Sequence, residues 1–220
     1  MNSFKKFIAD KKFYKTLLAI VIPIILQQFI TQFVSLVDNL MIGNIGNSEM
    51  TGVSLGNQLL FVFNLAIFGS LSGASLFASQ YYGAENIKGY QQSFKFKWLI
   101  GIIILLVSTT IFVFLNEELL SFFINSKEGE YSDPTVVLNS GKTYLMIMII
   151  GNVPFLIKEV YATSLREMKQ TFIPMLCGII AIGVNLLFNS LLIFGLAGFP
   201  KLGVAGAAIA TVISRFVEMF

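Results

Sequence analysis

The chain has 220 residues, of which 55% are hydrophobic and only 12% charged, with a net charge of +3; its mean hydropathy is +0.78. A soluble domain is usually about a quarter charged, so this composition excludes one, and it also excludes disorder, which needs low hydrophobicity and high charge. The absence of histidine and the single cysteine, Cys177, argue against a zinc or haem centre, a disulfide framework and any His-based triad.

The gaps between charges locate the elements. Residues 16–37 form an uncharged run of 22, 50–84 a run of 35, 98–116 a run of 19, 143–157 a run of 15, 170–200 a run of 31 and 202–214 a run of 13. A bilayer core about 30 Å thick takes roughly 20 helical residues. Runs such as WLIGIIILLV lack the alternation of a membrane strand. The expected architecture is an all-α integral membrane protein with six transmembrane helices near 16–42, 53–81, 95–115, 141–161, 172–194 and 203–220.

A basic segment, residues 1–15, precedes the first span and carries Lys5, Lys6, Lys11, Lys12 and Lys15. The first span holds Asp38, the one ionisable residue that the pattern puts deep in the membrane. A charge at that depth costs about 2.5–3.5 kcal/mol even on the lenient scale, so Asp38 must face a cavity, be paired or be protonated. At 100° per residue, Gln27, Gln28, Thr31, Gln32, Ser35, Asp38 and Asn39 fall within an arc of about 140°. One face of this helix is wet and the other apolar. Pro23 lies inside the same helix, where a missing N–H and a ring clash favour a kink, and it is a candidate hinge.

The second span repeats the pattern, with Ser54, Asn57, Gln58, Asn64, Ser72, Ser75 and Ser79 within an arc of about 120°. Lys88, Lys95 and Lys97 follow it in the second loop, and Glu117, Glu118, Glu128, Glu130 and Asp133 form an acidic loop after the third span. The fourth span contains Pro154 and leads to Lys158, Arg166 and Lys169. The fifth begins near Pro174 and carries Asn185 and Asn189 one turn apart, on one side. The small residues of GVAGAAIAT in the sixth allow close helix packing. That span reaches Arg215 and ends inside its own apolar pattern, as a truncated chain would. A single membrane serine is more often interhelical glue, worth about 0.6 kcal/mol, than a binding group. Asp38 is the exception because its burial is so much more costly.

Four stretches together resemble the multidrug and toxic compound extrusion (MATE) family: IPIILQQFITQFVSLVDNLMIGNIG, GSLSGASLFASQYYGAEN, ATSLREMKQTFIPM and VNLLFNSLLIFGLAGFPKLGVAGAAIATVIS. They cover nearly the whole chain in order. The resemblance implies a twelve-helix, two-lobe antiporter. Residues 16–220 then correspond to the N-terminal lobe, without the C-terminal one. It also implies that Asp38 is the coupling aspartate, that Asn185 matches the asparagine of the fifth helix, and that Pro23 matches a proline that bends in some members. Asn189 stands where many members have an aspartate, which removes a second carboxylate. The cation-coupling set is therefore Asp38, Asn185 and Asn189, for H⁺ or Na⁺. Gln28, Thr31, Gln32, Ser35, Asn57, Gln58 and Asn64 are expected to line the substrate cavity.

The leading expectation is cation-coupled export of organic, often cationic, compounds across the cell membrane. No cofactor and no nucleic acid enter into it. The expected partners are small organic substrates, membrane lipid, and a missing C-terminal lobe or a dimer partner. A relative that flips lipid-linked sugars or exports polysaccharide is the alternative; it needs basic residues in the cavity, and none stands deep in the spans by this pattern. A non-transporting scaffold or decayed fragment is the alternative of another class. An enzyme is not expected, because no nucleophile–base pair, phosphate loop or metal cluster is visible.

Twelve of the fifteen basic residues fall on the side of the amino terminus and even-numbered loops, which places both termini in the cytoplasm. Cysteines introduced at residues 5 and 90 are accordingly expected to react with an impermeant label only from the cytoplasmic face. Labelling of either from outside would overturn this topology.

Overall fold

The structure is a computed structural model that describes residues 10–125 and 133–220. Lys127, Glu128 and Glu130 of the expected acidic loop, and Lys5 and Lys6, lie outside the described residues. The described chain is helical, without strands: α1 (Lys11–Gly43), α2 (Asn47–Gly83), α3 (Ile87–Phe114), α4 (Asn116–Asn125), α5 (Pro134–Glu167), α6 (Phe172–Phe194), a 3₁₀ turn (Leu196–Gly198) and α7 (Val204–Met219).

Local chemistry sets the helix ends. Asp10 caps α1 by accepting from the Phe13 N–H at 2.8 Å, and Asn86 caps α3 by accepting from the Gly89 N–H at 3.0 Å. Asp133 caps α5, accepting from the Thr135 and Val136 N–H groups at 3.1 and 3.3 Å. Pro134 follows at the first position, where no N–H is needed. Gly195 ends α6 at φ 72°, a left-handed conformation that glycine adopts without a side-chain clash. Pro23 and Pro154 sit inside α1 and α5, which remain continuous through them.

The helix α5 is the spine of the bundle. It packs along α2 and α7 and more lightly on α3, while α6 joins α7 to α1. Leu60, Ile67 and Leu71 of α2, Leu145, Met148, Leu156 and Val160 of α5, and Ala207 and Ala208 of α7 form the core. The contact of α2 with α5 is close because both present glycine there. A Cβ on Gly52 would stand 2.4 Å from the Val137 carbonyl oxygen, and one on Gly141 would stand 2.9 Å from the Gly52 carbonyl oxygen. Leu76, Leu106, Phe114, Ile150 and Leu187 remain exposed on the outer faces. Five helices (α1, α2, α3, α5 and α6) are long and apolar enough to cross a membrane. The sixth expected span is α7, a shorter helix of 16 residues.

Two features depart from the charge pattern. The segment after the third span is partly helical: α4 buries Leu120 and Ile124 and carries Glu117 and Glu118 in its first turn, where the helix dipole favours acids. Glu117 accepts from Lys142 at 2.8 Å, and this bond holds its carboxyl below the usual range. The second loop is only residues 84–86, so Lys88, Lys95 and Lys97 lie on α3 rather than in a loop. Lys97 is fully buried, paired with Glu167 of α5, and its ammonium also reaches Thr163 Oγ1 and Ser164 Oγ at 3.4 and 3.3 Å. Asp38 is therefore not alone as an ionisable group inside the bundle.

Removing one member of a buried pair leaves the other charge uncompensated, at a cost of about 3–5 kcal/mol, whereas replacing both by apolar groups is often neutral. Lys97→Met is expected to lower thermal stability in detergent by that order, and Lys97→Met with Glu167→Leu to recover most of it. If the double variant melts as low as the single one, the pair is not the source of the loss.

Candidate functional site

The helix α1 leans on α6 and touches α2 only lightly. The space left between them is a cavity of about 680 Å³, closed at the back by α5 and α7. Its lining divides into two chemically distinct parts.

One part is built around Asp38. Its Oδ1 accepts from Asn189 Nδ2 at 2.7 Å. Asn185, one turn earlier on α6, presents its amide to the same carboxylate; with nitrogen on that side it donates to both carboxylate oxygens at 3.1 Å. The other end of that amide lies 3.4 Å from Thr211 Oγ1 on α7. Tyr144 of α5 donates to Asn57 Oδ1 of α2 at 3.1 Å, which ties the floor of the cavity to its wall. Asn189 Oδ1 is buried without a hydrogen-bond partner. A carboxylate beside an unpartnered amide oxygen is a hard-oxygen donor set, suited to a proton or a small hard cation.

The second part is basic. Lys158 pairs with Glu159 at 2.6 Å and with Glu218 at 3.5 Å. Arg166 Nη2 donates to Gln27 Oε1 at 3.2 Å, and Arg215 Nη1 donates to Asn152 Oδ1 at 3.0 Å. Lys158 and Arg215 both lie against the Phe155 ring, 5.0 and 4.9 Å from its centre. This corrects the inference that no basic residue stands in the cavity. Because α5 runs unbroken to Glu167, Lys158 and Arg166 belong to its inward face, and Arg215 turns into the bundle from α7.

Of the residues singled out in the sequence, Asp38, Asn185 and Asn189 come together, and Gln28, Gln32, Asn57 and Asn64 line the cavity. Gln58 does not. It stands about 100° round the helix from Asn57, and its side chain is exposed outside the lining. The side chains of Thr31 and Ser35 lie outside the described residues. Pro23 is one turn before Gln27 on α1 and does not line the cavity. Tyr144, Thr211 and the basic group were missed. The i, i+4 spacing of Thr211 and Arg215 was a usable signal; Tyr144, a lone polar tip in an apolar run, had none.

The family model for MatE matches residues 23–191. The chain belongs to the MatE family. Among curated relatives, the probable multidrug resistance protein NorM of Thermotoga maritima is 30% identical over 203 residues, covering 92% of this chain and 42% of that protein. Two solved structures share the fold. One is the outward-facing conformation of a multidrug resistance MATE family transporter of the MOP superfamily, with a TM-score of 0.77 at 20% identity, covering 93% of this chain and 43% of that one. The other is a MOP superfamily transporter from Pyrococcus furiosus, described by the reverse polarity of its binding pocket, with a TM-score of 0.77 at 18% identity and the same coverage, 93% and 43%. The MatE chain thus spans about two-fifths of the length of these relatives.

The contact of Asn189 with Asp38 makes a direct test available. Asn189→Asp places a second carboxyl where the 2.7 Å hydrogen bond now stands, so the two must share a proton or a cation. Added carboxylate charge tightens hard-cation binding, and the variant is expected to bind Na⁺ about tenfold more tightly than wild type. Thermal unfolding at pH 8 in sodium against choline chloride reads this out. An equal sodium response in the two proteins would show that position 189 does not contribute to a cation site.

Proposed function

We propose that this chain forms the amino-terminal lobe of a cation-coupled exporter of organic, often cationic, compounds. The observation that carries the proposal is a carboxylate, Asp38, held by two amides of a second helix on the wall of a cavity of about 680 Å³. That volume is in the range of drug-sized binding sites. One carboxylate binds a proton, a sodium ion or a cationic group of the substrate, and poorly two of these together. Competition for it couples ion entry to substrate release. Thr211 and the α6 amides position the charge, and Gln28, Gln32, Asn57, Asn64 and Tyr144 offer the polar contacts of a permissive site.

Alternating access needs two bodies that rock about a shared site. The length of the relatives supports a second lobe, or a second copy, as the partner that completes the cavity. The protein works in the cell membrane with both termini in the cytoplasm, in keeping with the distribution of its lysines.

The basic residues on α5 and α7 favour a second reading, a flippase or exporter of phosphate-bearing lipid-linked sugars. It ranks behind the first because it leaves the Asp38 carboxylate and the two amides that hold it without a role.

In a complete transporter, Asp38→Asn is expected to preserve membrane expression, since the amide keeps the shape and removes only the costly charge. It is expected to abolish efflux of a fluorescent cation driven by an imposed proton or sodium gradient. Wild-type coupling in a well-expressed variant would mean that Asp38 is helix glue.

A further inference from the structure

The helix α3 takes no part in the cavity, since none of its residues line it. It packs inward on α2 and α5, burying Gly89, Ser93, Lys97 and Gly101. At 100° per residue Lys88, Lys95, Leu99 and Leu106 lie on the opposite side, within an arc of about 40°. All four are exposed, as are Gln91 and Gln92 beside the two lysines.

This outward stripe changes character once along its length. From Lys88 to Lys95 it is basic and carries amides; from Leu99 to Leu106 it is apolar. Lys95 stands about 10 Å along the axis from Lys88, and Leu99 about 6 Å further. The order is that of a phospholipid, a polar headgroup followed by chains. Trp98 meets Tyr161 of α5 edge to face at 6.1 Å, at the level where the stripe changes. Rings of this kind settle at the boundary between headgroups and hydrocarbon.

Positive charge is in surplus at the basic end. Lys97 is paired with Glu167 and Lys142 with Glu117, but among the described residues neither Lys88 nor Lys95 pairs with an acid. The first turn of α3 contains no acidic residue, so Lys88 adds its charge where the helix dipole is already positive. Helix side chains lean toward the N-terminus, which carries Lys95 back toward Lys88. Two ammonium groups and a positive helix end are thus gathered on one outward face, with the Gln91 and Gln92 amides between them.

We propose that the outward face of α3 is a binding site for an anionic phospholipid. Lys88 and Lys95 hold the phosphate-bearing headgroup, and Leu99 and Leu106 carry its chains. The site lies apart from the cavity, and it holds whatever compound the cavity takes.

Trp98 is the single tryptophan of the chain and reports on lipid at this site. The purified full chain is reconstituted in vesicles of phosphatidylglycerol and phosphatidylcholine with matched chains, brominating one lipid and then the other. The quenching of Trp98 in the two cases gives the preference of the site. Phosphatidylglycerol is expected to be favoured about fivefold, the scale of one lysine beside an anionic surface. Lys88→Gln with Lys95→Gln is expected to remove the preference, and Lys95→Gln alone to bring it to about twofold; the single variant serves if the double one fails to fold, as judged by gel filtration. Lys88→Arg with Lys95→Arg is expected to keep it. Lys11→Gln, Lys12→Gln and Lys15→Gln together, which remove more charge from α1, are expected to leave it unchanged. Equal quenching by the two lipids in wild type would overturn the site. So would a preference that survives the α3 glutamine variants, or one that falls equally with the α1 triple variant, since the lipid would then answer to overall charge rather than to this face.

Discussion

The cost of carrying Asp38 into an apolar bundle shapes much of this molecule. A carboxylate at that depth needs donors. They come from α6, where Asn185 and Asn189 stand one turn apart: Asn189 donates to Oδ1, and Asn185 presents its amide to both oxygens. This fastens α1 to α6 and keeps it off α2, and the opening that results is the cavity. The interaction that makes the charge tolerable also borders the cavity.

The rest of the bundle keeps that opening from collapsing. Gly52 and Gly141 let α2 and α5 approach until backbone meets backbone, and the buried Lys97–Glu167 pair ties α3 to the far end of α5. With α2, α3 and α7 packed on it, α5 forms one wall of the cavity. Its inward face then carries both a hydroxyl, Tyr144, toward the acidic side and a run of charges, Lys158, Glu159 and Arg166, toward the basic side. The polarity of the cavity is thus a property of helix phase on α5 as much as of Asp38.

Membership of the MatE family and the shared fold account for the arrangement of helices, but not for the balance of charge inside. In this chain an asparagine, Asn189, occupies the position beside Asp38, and two guanidiniums, those of Arg166 and Arg215, line the same cavity. Function on such a scaffold follows from the side chains placed around the cavity rather than from the fold.

The sequence by itself determined that the chain is helical and membrane-embedded, because uncharged runs of about 20 residues have few other stable outcomes. It also pointed to Asp38 as the residue to explain, since a deep charge has a cost that hydropathy makes visible. The phase of α1 was legible as well, from 100° per residue alone. Tertiary structure decided the remainder. Whether Lys97 sat in a loop or in a core depended on where α3 starts, and three loop residues are too few to mark that start by charge. Whether Lys158, Arg166 and Arg215 faced water or the cavity depended on the rotation of α5 and α7 against each other, a relation between helices that no local periodicity carries. Gln58 fell outside the cavity and Tyr144 inside it for the same reason: one helix's polar arc shows which face is wet, and only packing shows where that arc ends.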